Sequence, residues 1–530
     1  MNPTVLAIDG GGVRGVIPLE FLVLMQEHLG PSCPLQDLVE LAVGTSSGGL
    51  STLGLFKMKW KPRKCSDMFD RVARRIFHER RESAISRMFR MVFKAELPLA
   101  ILPRWVLWLL YDGCYDSGTF DLALKDVFGD DHTIFDAFNR QSTAISGTRF
   151  GVVATSIGKD THSCVFGNFN SAHGSTDSCG LCNQVLCMED VANLILEFEI
   201  VRPLNPHHEP RVWEAFFPTA DIRDIGSFQD GGLRDNFAAG IARRLVRQIW
   251  PSRKRPARLL SIGTGAILQP SAETPHFRHV FRDSFVRRGF DAWMASMDTD
   301  LKWMEMFSQL DEADKSDYFR FNVHLREIPN AIDSVEAMDD YRNLVILQAG
   351  SGALAREAAI AFLISRLYFV VEAIPETGDL PLSCRGTVRC KGVARQIIGA
   401  IERLHPQRLD FITDSESLGS FQSLEDACRG CGRYRKTVSF SINHIGETLN
   451  IYLRSNSQKR WRINGFPDSV RSFISAQKMD SPFGQHHHGR AGIVACDECA
   501  GHEIPSQRKR RKRSSDVSEQ TQGGKKSRIA

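Results

Sequence analysis

Two short apolar runs open the chain, Val5-Leu6-Ala7-Ile8 and Leu38-Val39-Glu40-Leu41-Ala42-Val43, each followed closely by a cluster of glycines. Runs of this length bounded by turn residues read as buried strands. Between them Val16, Ile17, Leu19, Phe21, Leu22, Leu24 and Met25 form an apolar helix pattern, so residues 1 to about 60 alternate strand, helix, strand, helix. That alternation predicts the start of a parallel α/β sheet. From about 65 to 140 the pattern is helical, with amphipathic charge over residues 68–90, and Phe150-Gly151-Val152-Val153-Ala154 returns the chain to the sheet. The helical stretch 350–372 closes this region. Beyond it, Thr437-Val438-Ser439-Phe440-Ser441-Ile442 and Thr448-Leu449-Asn450-Ile451-Tyr452-Leu453 alternate around Ile445-Gly446, the pattern of a hairpin, and residues 466–477 read as a short helix. The longest apolar candidate, residues 97–111, is interrupted by Pro98, Pro103 and Arg104 and is too short for the roughly 20 residues that span hydrocarbon. Its Trp105 and Trp108 leave two readings open, an interfacial patch or lid over a lipid site and an ordinary buried helix.

The glycine clusters carry the candidate chemistry. Gly44-Thr45-Ser46-Ser47-Gly48 has the spacing Gly-x-Ser-x-Gly, which suits a serine on a strained strand-to-helix turn where neighbouring backbone must approach closely. Gly10-Gly11-Gly12-Val13-Arg14-Gly15 offers unpaired amides at a helix start, suited to an oxyanion or a phosphate. The same run satisfies G-x-G-x-x-G, with Glu40 as the acid of a dinucleotide site. Against that, the next strand ends in the serine turn where the ribose-binding acid should stand. Asp230-Gly231-Gly232 is either an ordinary turn or a carboxylate left uncrowded by its glycines, able to act as base for a serine.

Taken in order, these elements resemble the patatin-like acyl hydrolases, the family of plant patatins and calcium-independent phospholipases of the A type. Asp9-Gly10-Gly11-Gly12-Val13-Arg14-Gly15 matches the family's oxyanion loop, Gly44-Thr45-Ser46-Ser47-Gly48 its nucleophile elbow, and Asp230-Gly231-Gly232 its aspartate motif. Leu259-Leu260-Ser261-Ile262-Gly263-Thr264-Gly265 and Tyr318-Phe319-Arg320-Phe321-Asn322-Val323 are family-like as well, so the resemblance covers about residues 1–370. Residues 212–220 depart from it, lacking the usual Arg-Ala-Thr-Ser-Ala-Ala-Pro continuation. The resemblance implies a three-layer α/β/α fold with a mostly parallel central sheet. It implies a Ser46-Asp230 dyad with Ser46 as nucleophile and Asp230 as general base, acting on phospholipid, lysophospholipid or acylglycerol esters with no catalytic cofactor. His276, His279 and His324 lie downstream of Asp230, where a triad would need its histidine, but none sits in a recognisable motif. Arg14 serves equally as a phosphate anchor or as a brace for its own turn. A non-catalytic patatin-like scaffold, and an acyltransferase that passes the same acyl group to an alcohol, are the alternatives.

Charge alters the picture only at the C-terminus. Of a net +5, residues 501–530 hold nine Lys/Arg and three Asp/Glu, leaving 58 basic against 59 acidic side chains over residues 1–500. The folded part therefore offers no argument for nucleic-acid binding. The basic run, residues 507–513, with Lys525-Lys526-Ser527-Arg528 behind it, reads as a disordered tail carrying a nuclear-import signal, the rival being a solvated or phospholipid-attracted tail. The N-terminus enters the first strand directly, with no secretory signal, and thirteen cysteines suit reduced thiols. An intracellular protein, cytoplasmic and nuclear, with peripheral membrane contact is the expectation. Cys179, Cys182 and Cys187 lack a clear fourth ligand and read as loop thiols. Cys428, Cys431, Cys496 and Cys499 form two C-x-x-C pairs, candidates for a structural zinc with the His486-His487-His488 run as an outside ligand source, or else free thiols. The expected organisation is a hydrolase domain at 1–372, a helical connector at 373–405, a small β-rich cysteine-containing module at 406–500 and the basic tail at 501–530.

Overall fold

The structure, a computed structural model, describes residues 1–77, 117–129, 147–157, 161–169, 220–222, 226–253, 255–267, 298–325, 333–375, 380–421, 426–428 and 432–480. The two opening apolar runs become β1 (Thr4–Ile8) and β2 (Leu41–Thr45), with α1 (Val16–Leu29) between them. α2 (Ser47–Thr52) follows β2 directly, and α3 (Pro62–Ile76) comes next. The sheet is completed by β3 (Arg149–Ser156), β4 (Ser163–Gly167), β5 (Ala220–Ile222), β6 (Gly226–Asp230), β7 (Arg258–Ile262) and β9 (Tyr318–Phe321). Its order is β5-β6-β3-β2-β1-β7-β9, with β4 paired to β3. The pairings β3-β2, β2-β1, β1-β7 and β7-β9 are parallel, so the centre is parallel and the β3 side is antiparallel.

Alternation along the central strands creates the two covering layers. Leu6 and Ile8 of β1, Ala42 of β2 and Leu260 and Ile262 of β7 face a core shared with α1, α3, α6 (Met338–Leu347) and α7 (Ser351–Ile364). Their neighbours Val5, Ala7, Leu41, Val43 and Leu259 face Ile241, Ala242 and Leu245 of α4 (Ala238–Ile249) and Trp303 and Met306 of α5 (Thr299–Ser308). A strand buried on both faces needs no polar alternation, which is why the opening runs are continuously apolar. Each large side chain so buried contributes about 1.5–3 kcal/mol. Glu40 is the polar exception, and it points to the sheet's end, where it accepts the Thr4 N–H at 2.8 Å and pairs with Arg366 and Lys391.

The C-terminal half departs from expectation. β11 (Leu367–Val371), β12 (Leu382–Cys390) and β15 (Arg435–Ile442) form one antiparallel sheet. The stretch 373–405 is therefore not a helical connector: it holds β12 as well as α8 (Ala394–Leu404). Nor do the two alternating segments pair as a hairpin. β15 lies along β12 from Leu382↔Ile442 to Arg389↔Arg435, burying Val438, Phe440 and Ile442, with Phe440 5.7 Å from Phe369 between ring centres. The second segment splits: β16 (Thr448–Leu449) pairs with β19 (Asp468–Ser469), and β17 (Tyr452–Ser455) lies between β13 (Leu409–Ile412) and β18 (Arg460–Arg462). Period-two alternation reports a buried face and says nothing of which strand supplies the neighbour. The short helix near 466–477 forms as α9 (Val470–Ala476).

This half shares one hydrophobic core with the α1 side of the first, a core that includes Phe362, Phe369, Phe411 and Phe440. A buried ion cluster also joins them. Arg258 of β7 and Arg462 of β18, 2% and 3% exposed, converge on Asp317, which is 5% exposed. The Arg258 contact is 2.6 Å, and Arg462 also reaches Asp314 at 3.0 Å. Two buried guanidiniums deprived of their shared carboxylate are left uncompensated, so Asp317→Ala should cost about 3–5 kcal/mol. Denaturant unfolding of the full chain measures this, and a change below about 1 kcal/mol would show the cluster to be dispensable.

Among the described residues no single helix is long and apolar enough to cross a membrane, and no group of three or more His, Cys, Asp or Glu is arranged to hold a metal. Cys33, Cys65 and Cys384 are buried thiols outside any disulfide. Cys428 is described, whereas Cys431, Cys496, Cys499 and His486-His487-His488 lie outside the described residues. So do Trp105 and Trp108, Cys179, Cys182 and Cys187, residues 212–219, His276, His279 and the 507–513 basic run.

Candidate active site

β2 ends at Thr45 and Ser46 turns the chain into α2 with φ +52°. A positive φ on a residue with a side chain is strained, and here the surroundings hold it. A Cβ on Gly44 would lie 2.2 Å from the Gly48 carbonyl oxygen, and one on Gly48 would lie 2.4 Å from that of Ile8. Both glycines of the pentapeptide are thus required by backbone packed against backbone. Inside the helix Ser51 and Thr52 return their hydroxyls to the carbonyls of Ser47 and Gly48. Ser46 itself is 6% exposed.

Sheet register delivers the acid. Thr45 lies opposite Val153 across β2-β3, and Ala154 lies opposite Asp230 across β3-β6, so Ser46 and Asp230 flank one strand at one level. The Ser46 hydroxyl is near enough to the Asp230 carboxylate to act on its acidity, and Asp230 Oδ1 accepts the Gly232 N–H at 2.8 Å. Gly231 has the role expected for a turn glycine, since a Cβ there would meet the Val153 carbonyl oxygen at 2.5 Å. Asp230 is 1% exposed. Burial raises its pKa from 3.8 to about 7, against the opposing pull of the Gly232 N–H and of the nearby Ser46 hydroxyl. Among the described residues no histidine bonds either partner; His324 is exposed on β10 (His324–Leu325), which pairs with β8 (Ala266–Ile267).

The first glycine turn lies against the serine: a Cβ on Gly10 would come within 2.6 Å of Ser46 Cβ. Its amides are not all available. The Gly10 N–H donates to Asn236 Oδ1 at 2.9 Å and the Gly11 N–H to Ser47 Oγ at 3.1 Å. The Gly10 carbonyl in turn accepts Thr264 Oγ1 at 2.8 Å and Asn236 Nδ2 at 3.3 Å. Arg14 closes the turn through its N–H to the Gly11 carbonyl at 3.0 Å, and Gly15 packs against Ser47 and Phe69. The N–H groups of Gly12 and Val13 have no partner among the described residues. Of the amides that the glycine run offers, Gly11 is thus occupied, because Ser47 of the serine turn takes its proton. Gly12, at φ +53°, makes the bend that separates bound amides from open ones.

Asn236, Thr264 and Arg320 hold this arrangement although no sequence pattern gives them a role. Asn236 lies six residues after Asp230, and its side-chain amide answers both backbone groups of Gly10. No local pattern marks it, since its partner is 226 positions away.

The patatin-like phospholipase family model matches residues 6–181. Patatin-like protein 2 of Oryza sativa subsp. indica is 47% identical over 53 residues, 9% of this chain and 13% of its own length. Patatin-like protein 2 of Arabidopsis thaliana is 43% identical over the same number of residues and the same shares. The matched stretch thus spans about an eighth of these relatives. Among solved structures, VipD from Legionella pneumophila is similar at 11% identity and a TM-score of 0.29 over 67% of each chain, a level that carries no argument. The ordered glycine turns, the serine elbow in a mostly parallel α/β sheet and the matched family model together show that the chain carries a domain of the patatin-like phospholipase family over residues 6–181.

Proposed function

We propose that this chain is a lipid acyl hydrolase of phospholipase or lysophospholipase type, working through Ser46 and Asp230. The observation that carries the reading is a buried carboxylate, its pKa raised to about 7, that the sheet sets at the level of Ser46 across β3. A carboxylate of ordinary acidity is a poor base; one near neutrality is matched to removing a hydroxyl proton at physiological pH. Ser46 Oγ bonds to the ester carbonyl carbon as its proton passes to Asp230, and the carbonyl electrons collect on oxygen. The open N–H groups of Gly12 and Val13 are the donors for that oxyanion. Collapse expels the alcohol, which takes the proton back, and water repeats the sequence on the acyl-serine.

Lipid substrates follow from the family, and a membrane or micelle surface as the place of encounter is part of the proposal. Intracellular residence, with import through residues 507–513, is proposed from sequence alone. Product profiling of phospholipid and lysophospholipid digests, wild type beside Ser46→Ala, tests the activity. Fatty acid release lost in the variant supports it, and equal release from both overturns it.

A further inference from the structure

Behind the glycine turn stands a guanidinium with every proton assigned. Arg320 of β9 donates through Nη1 to Asp9 Oδ2 at 2.6 Å and to Ser261 Oγ at 2.7 Å. Nε and Nη2 reach Asp300 Oδ1 at 2.9 and 2.6 Å, and Nη2 also reaches Thr299 Oγ1 at 2.9 Å. Five donors meet five contacts, the full capacity of an arginine. Asp9 is fully buried and directly precedes Gly10. Its second oxygen accepts the N–H of Ala238, the first residue of α4, at 3.2 Å, two residues beyond Asn236. One carboxylate thus ties β9 and the start of α4 to the residue where the oxyanion turn begins.

We propose that Arg320 is a positioning residue for the oxyanion-binding turn, holding Asp9 so that the open amides of Gly12 and Val13 face Ser46; for catalysis this rests on the reading above. The turn has few other supports. Asn236 and Thr264 hold Gly10 and Ser47 holds Gly11, while the amides that would receive the oxyanion have no partner among the described residues. Their direction is therefore inherited from the strand end at Asp9. Burial pushes the Asp9 pKa up and Arg320 opposes it, so the arginine also favours the ionised form that accepts from two directions. Lysine cannot replace this. Its single ammonium can neutralise Asp9 but cannot grip Asp300 and Asp9 in fixed planar geometry.

The test compares wild type, Arg320→Ala, Arg320→Lys and the milder Ser261→Ala, which removes one acceptor beside the Asp9 contact without touching the charges. Hydrogen exchange of the peptide covering residues 9–15 reads the turn whether or not the protein hydrolyses any lipid. Exchange there should accelerate in Arg320→Ala, less in Arg320→Lys and least in Ser261→Ala, with peptides of α1 and α3 unchanged. On a soluble chromogenic ester, kcat per fluorophosphonate-titrated site should fall about 10- to 100-fold in Arg320→Ala with KM within about twofold, as displacement by about 1 Å does. Partial recovery is expected in Arg320→Lys. Unaltered exchange at residues 9–15 in all three variants overturns the proposal. So does a variant whose melting temperature drops while kcat per titrated site stays at the wild-type value. Wild-type protein that neither labels nor hydrolyses would instead sink the hydrolase reading, leaving the exchange data to decide whether Arg320 orders the turn.

Discussion

Replacing Ser46 by alanine should reduce ester turnover by about 10⁴-fold or more, the loss expected when a nucleophile is removed from a unit in which base and nucleophile act together. The substitution is small in every other respect. Alanine keeps the Cβ that packs beside Gly10, and the backbone strain at φ +52° belongs to the turn and remains. The elbow glycines, the Asp230 turn and the open amides of Gly12 and Val13 are untouched, so the residual rate measures what binding and the oxyanion donors supply without covalent chemistry. Initial rates on a chromogenic ester and fatty acid release from phospholipid, at matched folded concentrations, provide the comparison. Turnover above about one tenth of wild type would remove Ser46 from the nucleophilic role.

Asp230→Asn should combine a loss of activity of about 10³- to 10⁴-fold with a gain in stability. The activity arm follows from the proton: an amide cannot accept one. In the wild-type protein log(kcat/KM) should rise with unit slope below pH 7 and level above it, because the base must be ionised and its pKa is about 7. The stability arm follows from linkage. An acid whose folded pKa stands above its unfolded value binds its proton more tightly when folded, so stability is greatest below pH 3.8 and declines as pH rises from 3.8 through about 7. The whole interval corresponds to about 4 kcal/mol, an upper bound for what the ionised carboxylate costs at pH 8. Asparagine keeps an oxygen for the Gly232 N–H and carries no charge, so unfolding at pH 8 should show the variant more stable by about 1–4 kcal/mol. The advantage should shrink toward pH 4. A variant less stable than wild type at pH 8 would mean that the carboxylate is better compensated than burial indicates.

Much of the α/β framework was legible because its signals are local. The continuous apolarity of Val5-Leu6-Ala7-Ile8 and the helix pattern from Val16 to Met25 appear as β1 and α1. The Gly-x-Ser-x-Gly spacing appears as a strand-to-helix turn with its serine at positive φ. Where the reading failed, the missing information was the partner. Leu382, Cys384, Val388 and Cys390 alternate with Ser383, Arg385, Thr387 and Arg389, a signal sufficient for a strand inside the stretch expected to be a helical connector. Once β12 is in place, β15 has a neighbour along all eight of its residues, and a hairpin with the following segment is displaced. Of the oxyanion turn, the sequence supplied the glycines but not the accounting of protons. Gly11 looks as open as Gly12 until Ser47 Oγ is found on its N–H.

The amino-acid sequence by itself determined the elements that hydrophobic period, turn chemistry and glycine spacing can encode within a dozen residues: the buried strands, the serine elbow and the aspartate turn. Tertiary structure alone decided which carboxylate lies level with the serine, which amides of the glycine turn lack a partner among the described residues and which arginine stands behind the turn. Those outcomes depend on groups separated by 226, 254 and 311 positions, as for Asn236, Thr264 and Arg320 acting on Gly10 and Asp9. Hydrogen bonding and desolvation act over a few ångströms, so their partners are set by which strands the sheet brings together and not by distance along the chain.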